Sequence, residues 1–184
     1  EHEILLNDSS FDAFIVELAP SVVIFDRFMV EEQYGWRVAE FCPSALRIVD
    51  TEDLHFVRLA RQEAFKKGSS VDFYSATAKR EVASILRSDL SLIISRSEMD
   101  LLQNQFGVSA DRLYYIPFQE ELIDELHIQR LPSYEDRLNY MFIGNFIHEP
   151  NWRTVEILKK EIWPILRKKN PQAELHIYGA YATD

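Results

Sequence analysis

Short apolar runs alternate with longer amphipathic stretches along most of this chain, and that rhythm restricts the fold more than any single residue does. SVVIFD (21–26), ALRIVD (45–50), LSLIIS (90–95) and LYYIPF (113–118) are each long enough for one strand and too short for a helix. Continuous Val, Ile and Leu, rather than strict alternation, suits strands of a parallel sheet covered on both faces. The stretches between them carry a helical period: Tyr34, Val38 and Phe41; then Leu54, Val57, Ala60 and Ala64; then Val82, Ile85 and Leu86. Ser97 and Glu98 open a further helix through Leu102 and Phe106, with Gly107 supplying a left-handed stop. Strand and helix in strict alternation mean βαβ units, an α/β fold and a parallel sheet.

The rhythm breaks at QEELIDELHIQRLPSYEDR (119–137), which has no strand period and ends in proline and polar residues. It then restarts with LNYMFIG (138–144), a helix over 151–170 with Val155, Leu158, Ile162 and Ile165 on one face, and AELHIYG (173–179). Pro164 removes one hydrogen bond from that helix and is expected to bend it. The expectation is a Rossmann-like sheet with flanking helices over 1–118, a linker with a short helix over 119–137, and the first β-α-β of a second Rossmann-like domain over 138–184.

Composition narrows the function. Over 184 residues, 30 acidic side chains against 20 basic ones give a net charge of −10, which argues against a nucleic-acid partner, since phosphate neutralisation needs clustered Lys and Arg. A nucleotide pocket needs only a local group of donors and stays open. Cys42 is the single cysteine, so no intrachain disulfide forms, and no zinc-ligand spacing exists; no metal site is expected. No apolar run approaches the roughly 18 residues of a membrane span, and the acidic start carries no secretory signal. The reading is a cytoplasmic protein, with peripheral attachment to a membrane left open.

Ligands of open α/β sheets bind beyond the carboxyl ends of the strands. Four places qualify: FDRFMVEEQYGW with Asp26 and Arg27, VDTEDLHFVR with Asp50 and His55, SRSE with Ser95 and Glu98, and GNFIHEPN with Gly144 and Asn145. Each has a plain structural alternative. Asp26 and Arg27 are equally an ion pair at a strand end. Thr51 or Asp50 suits a helix cap, Glu52 and Asp53 suit the positive end of that helix, and His55 is either a sugar-hydroxyl donor or a first-turn residue. Gly144 lets backbone approach a ligand, and the helix start after it suits a diphosphate, but neither GxGxxG nor GxxxxGK[ST] is present. Trp36, Trp152 and Trp163 read as packing residues, Arg167 to Lys169 as a helix end favoured by the dipole, and Cys42 as inert.

The blocks together resemble a known family. FIGNFIHEPNWRTVEILKKEIWPILRKKNPQAELHIYGAY looks like the start of the carboxyl-terminal domain of retaining glycosyltransferases of the two-Rossmann, B-type fold, group 1. VVIFDRF, LRIVDTEDLHFVRLARQ, DLSLIISRSEMDLLQNQFGV and LYYIPF are similar to the later half of the amino-terminal domain. The resemblance implies a hexosyltransferase-class enzyme that takes a nucleotide-sugar donor, needs no other cofactor, and passes the sugar to a hydroxyl of a glycan or other acceptor. It implies that Gly144, Asn145 and Gly179 lie by the donor, that His55 faces the sugar as the catalytic histidine, and that Ser95 and Glu98 are the family's serine–glutamate pair; with Asp26, Arg27 and Asp50, placed by their strand ends, they are expected on the acceptor side. Departures are IPFQEEL where the family has an IPNGVD-like bend, and no basic residue in GNFIHEPN. The family's paired glutamates fall after Asp184 and its first βα units before Glu1, so the expectation is a fragment that is itself inactive. A nucleotide-sugar epimerase on the same scaffold, and a non-catalytic interaction module, are the alternatives.

Overall fold

The computed structural model describes residues 3–5 and 8–181. The fold is α/β, with a Rossmann-like parallel sheet flanked by helices. Residues 1–120 form one compact unit and 121–184 a second.

In the first unit, strands β1 (Val22–Asp26), β2 (Leu46–Asp50), β3 (Leu90–Ile93) and β4 (Leu113–Tyr115) pair in chain order, all parallel. Val22 pairs with Leu46, Ile48 with Leu90, and Ser91 with Leu113. Helix α1 (Ser10–Leu18) precedes β1, α2 (Phe28–Phe41) joins β1 to β2, α3 (His55–Lys67) and α4 (Ala76–Arg87) join β2 to β3, and α5 (Arg96–Phe106) leads to β4. Ser75 caps α4 by accepting the Ala78 N–H at 3.1 Å, and Gly107 ends α5 at φ +67°.

Strand order 1-2-3-4 with right-handed crossovers puts every crossover helix on the same side. Phe25, Val49, Ile93 and Leu113 point that way and pack in two clusters against Phe11, Ile15 and Val38, and against Phe56, Val57, Ile85 and Leu102. Residues of opposite parity face away, and among the described residues no helix covers them. Val22 (46%), Ile24 (60%), Leu46 (43%) and Tyr114 (57%) are therefore exposed. This corrects the expectation of strands covered on both faces: continuous apolar sequence reports a strand's preference, and the crossovers decide which face is sheltered.

Two helical stripes also need correction. Leu54, Val57, Ala60 and Ala64 are all buried, but Phe41 and Leu86 are exposed. The inner face of α2 is instead Phe28, Glu31, Gly35 and Val38, and that of α4 is Ala78, Glu81, Ser84 and Ile85. Both faces carry a buried carboxylate where periodicity alone expects an apolar side chain. Glu31 is 2% exposed and is held by Arg87 of α4. A Cβ on Gly35 would stand 2.4 Å from the Glu31 carboxylate, so the glycine makes room for the ion pair. Gly35→Ala is expected to cost roughly 1–3 kcal/mol through this overpacking, read as a lower urea midpoint with an unchanged slope.

In the second unit, α6 (Glu125–Arg130) precedes a two-stranded parallel sheet of β5 (Tyr140–Ile143) and β6 (Leu175–Tyr178). Between them α7 (Glu149–Ile157) runs through a π-helical segment, Leu158–Ile162, into α8 (Trp163–Lys169). The π segment stands just before Pro164, where the missing N–H and the ring disturb the ladder. It also moves the inward face by one position: Val155 before it and Leu158 at its start are half-buried, as are Trp163 and Leu166 after it, whereas Ile162 and Ile165 are exposed. The one-face stripe expected from sequence fails there because an inserted π residue shifts the helical phase. Trp163 meets Tyr140 edge to face at 5.9 Å, while Trp36 (51%) and Trp152 (39%) are exposed rather than packed inside.

Candidate functional site

The carboxyl ends of β1 and β2 carry two residues in a costly backbone state. Arg27 (φ +69°) and Glu52 (φ +55°) are non-glycine residues at positive φ, each worth on the order of 1–3 kcal/mol of strain. They bind one another, Arg27 Nε donating to Glu52 Oε2 at 2.8 Å. Asp26 lies further from the Arg27 guanidinium, at 3.6 Å, with its side chain 74% exposed. Asp50 pairs in register with Asp26 on the open face of the sheet and accepts the Glu52 N–H at 3.1 Å. Glu52 and Asp53 do not serve the start of α3: Asp53 takes the Arg58 guanidinium at 2.8 Å.

The start of α3 is held from outside. Its N-cap position is Leu54, which has no side-chain oxygen, so neither Thr51 nor Asp50 is the cap. Thr51 Oγ1 donates instead to the Leu92 carbonyl at 2.9 Å. Glu98 of α5 accepts the Leu54 N–H at 3.4 Å, and Glu81 of α4 accepts the His55 and Phe56 N–H groups at 3.1 and 2.9 Å. Two carboxylates from other helices thus do what one capping side chain usually does. Glu98, expected to line the cleft, is turned to this task. Glu81 is 1% exposed, and burial pushes its carboxyl up to about 7, the two N–H bonds opposing. Glu98 is also raised, again chiefly by burial.

His55 sits at this junction with its side chain 15% exposed and Nδ1 3.7 Å from Glu81 Oε1. Its ring meets Phe28 edge to face at 5.6 Å. Burial first, and then Arg58, lower its basicity below the usual imidazole range, so the ring is neutral at physiological pH. Ser95 Oγ shares a 2.8 Å hydrogen bond with Ser97 at the start of α5.

A cleft of about 520 Å³ lies at this end of β2, β3 and β4, lined by Asp50, Glu52 and Asp53 together with Ile94, Ile116, Pro117, Phe118 and Gln119. The structure therefore gathers Asp50 with Glu52, which also holds Arg27. Its lining does not include His55, Ser95 or Glu98. Glu81 was missed altogether from sequence because it stands mid-helix, with nothing nearby in the chain to mark it.

In the second unit, Gly144 and Gly179 meet at the carboxyl ends of β5 and β6. The Gly144 N–H donates to the Tyr178 carbonyl at 3.0 Å, and a Cβ on Gly179 would fall 1.8 Å from the Gly144 oxygen and 2.7 Å from Phe146. Asn145 Oδ1 accepts the Ile147 N–H at 3.0 Å. The helix end after it is less open to a phosphate than expected. Pro150 has no N–H, Asn151 N–H is turned to the His148 carbonyl at 3.0 Å, and Glu149 places a carboxylate in the first turn. Beside the glycines lies a cleft of about 640 Å³ lined by Phe146, Trp152, Val155, Glu156, Lys159, Ile177 and Tyr181. Trp152 thus faces open space, not a core.

No protein-family model matches the chain, and no curated protein matches it. Among the described residues no group of His, Cys, Asp and Glu could hold a metal ion, and no helix is long and apolar enough to cross a membrane.

Proposed function

We propose that this chain belongs to a retaining glycosyltransferase: its second unit takes the nucleotide of a nucleotide-sugar, and its first unit takes the hydroxyl acceptor. The observation that carries this reading is the aromatic cleft of the second unit, next to the loops that follow β5 and β6. A nucleotide's base needs flat apolar surface such as Phe146, Trp152 and Tyr181, and its diphosphate needs a cation such as Lys159. The contact between Gly144 and Gly179 holds those two loops together. The first unit's cleft is lined by carboxylates that can accept sugar hydroxyls and by apolar side chains that suit C–H faces.

With no protein nucleophile in the scheme, the bond between the anomeric carbon and the diphosphate breaks, the departing phosphate oxygen takes the proton of the acceptor hydroxyl, and the acceptor oxygen bonds to the same face of that carbon. The protein then positions groups and stabilises leaving-group charge. The test is titration of the ¹⁵N-labelled chain with UDP, GDP and ADP. The expected result is movement of the Trp152 indole signal and of the Gly144 and Asn145 amides at millimolar ligand, weakened several-fold by Asn145→Ala; saccharides should move Asp53 and Phe118 instead. Silence of both clefts overturns the reading.

A non-catalytic interaction module is the second reading, favoured by the open apolar sheet face of Val22, Ile24, Leu46 and Tyr114. It differs in its prediction: a partner protein would shift these residues, and nucleotides nothing.

A further inference from the structure

Besides capping α3, Glu81 lies beside a buried histidine nitrogen that has no hydrogen-bond partner. Glu81 is interior on α4, yet both its oxygens are aimed at the first turn of α3, on the His55 and Phe56 N–H groups. His55 Nδ1 is enclosed and has no hydrogen-bond partner, whereas Nε2 is not among the enclosed unpartnered atoms. Glu81 Oε1, 3.7 Å away, pairs with Nδ1 once His55 is protonated. That gap is slightly longer than a hydrogen bond and closes with a small rotation of either side chain.

We propose that Glu81 is the positioning residue for His55: its carboxyl group decides which imidazole nitrogen carries the ring proton, and so whether Nε2 offers a ligand a donor or an acceptor. With Glu81 protonated, its O–H donates to Nδ1 and the neutral ring keeps its proton on Nε2. With Glu81 ionised, that oxygen can only accept a hydrogen bond, so Nδ1–H donates to it and Nε2 is left with its lone pair. In going from the first state to the second the pair releases one proton to solvent, and the ring's own proton is exchanged from Nε2 to Nδ1. The ring stays neutral throughout.

The surroundings favour a change near neutrality. Asp53, in the loop before α3, and Glu98, on α5, both make ionisation of Glu81 harder. On the histidine's side, Arg58 of α3 and Arg27 after β1 disfavour the imidazolium, while Asp53 and Glu52 favour it. Arg61 of α3 acts on Glu98 in the opposite sense to Asp53. This proposal goes beyond the transferase reading, since His55 lies outside the lining of the first unit's cleft. Its test does not depend on transfer.

The test is the ring ¹⁵N shifts of His55 in the ¹⁵N-histidine-labelled chain, which has five histidines, followed from pH 6 to pH 9. The expected result is a change from the Nε2–H to the Nδ1–H tautomer centred near neutrality. Glu81→Gln, which cannot ionise, should hold one tautomer ratio throughout. Glu98→Gln leaves the change in place but moves its midpoint to lower pH, because one neighbouring negative charge is gone. A tautomer ratio that does not vary with pH in the unaltered chain overturns the proposal, as does an unaltered change in Glu81→Gln. Should Glu81→Gln not fold, the unaltered chain and Glu98→Gln decide alone. If nucleotides and sugars bind nowhere while the tautomer change is seen, the transferase reading fails and this one stands.

Discussion

Gly179→Ala is expected to unfold the second unit while leaving the first intact. The new Cβ would stand 1.8 Å from the Gly144 carbonyl oxygen, which is backbone and not a side chain that can swing away. The site also has φ +157°, a conformation that costs an L-residue on the order of 1–3 kcal/mol. Forced separation of the strand ends adds an overpacking cost of similar size, so the total is roughly 3–5 kcal/mol. A two-stranded sheet with one helical layer has little reserve against such a loss. Amide hydrogen exchange reads the two units separately: protection at Tyr140–Ile143 and Leu175–Tyr178 should vanish, and protection at Val22–Asp26 should persist. Full protection of β5 and β6 in the variant would show that the strand ends part more easily than their packing indicates.

The second expected result is a loss of stability of the first unit as pH rises, traceable to Glu81. Its carboxyl is raised to about 7 from an ordinary 4.5. Below 4.5 the group is protonated in both folded and unfolded chains. Between 4.5 and 7 the unfolded chain gives up the proton and the folded one retains it, so stability falls with rising pH and then levels off. The fall is on the order of 3 kcal/mol. Glu98, also raised, adds in the same direction. His55, whose basicity is lowered, opposes both: folding favours its neutral form, so stability rises with pH as the unfolded histidine deprotonates. The clean measure is therefore the difference between the unaltered chain and Glu81→Gln in urea unfolding at pH 4.5, 6 and 8. The unaltered chain should lose stability relative to the variant across that range. A difference independent of pH would place the Glu81 proton elsewhere.

Much of the scaffold was readable because it depends on short stretches of chain. Six apolar runs became six strands, shortened by one to three residues where pairing stops before the apolar residues do. Gly107 ended its helix as expected, since a left-handed cap is a local demand. Helix α1 was not foreseen. Its buried residues are Phe11 and Ile15, too few to announce a period, and they are secured by Phe25 and Val38 of later elements.

The site was less readable. Gly144 and Gly179 were both picked out, but their contact depends on strand register 35 residues apart in the chain, and register is a tertiary fact. Glu98 looked like a cleft residue and Thr51 like a cap, yet the start of α3 takes its acceptors from α4 and α5. A capping oxygen is chosen by proximity in space, and the nearest one in sequence had already turned to Leu92.

What the sequence settled alone is the order of the strands and of the helices between them, because hydrophobic period and turn chemistry act over a few residues and need no partner. What only the folded chain decided is which carboxylates are buried, which sheet face is left open and where His55 finds its neighbour. Those depend on helices brought together from distant parts of the chain, and the cost of burying a charge is set by what surrounds it, not by what precedes it.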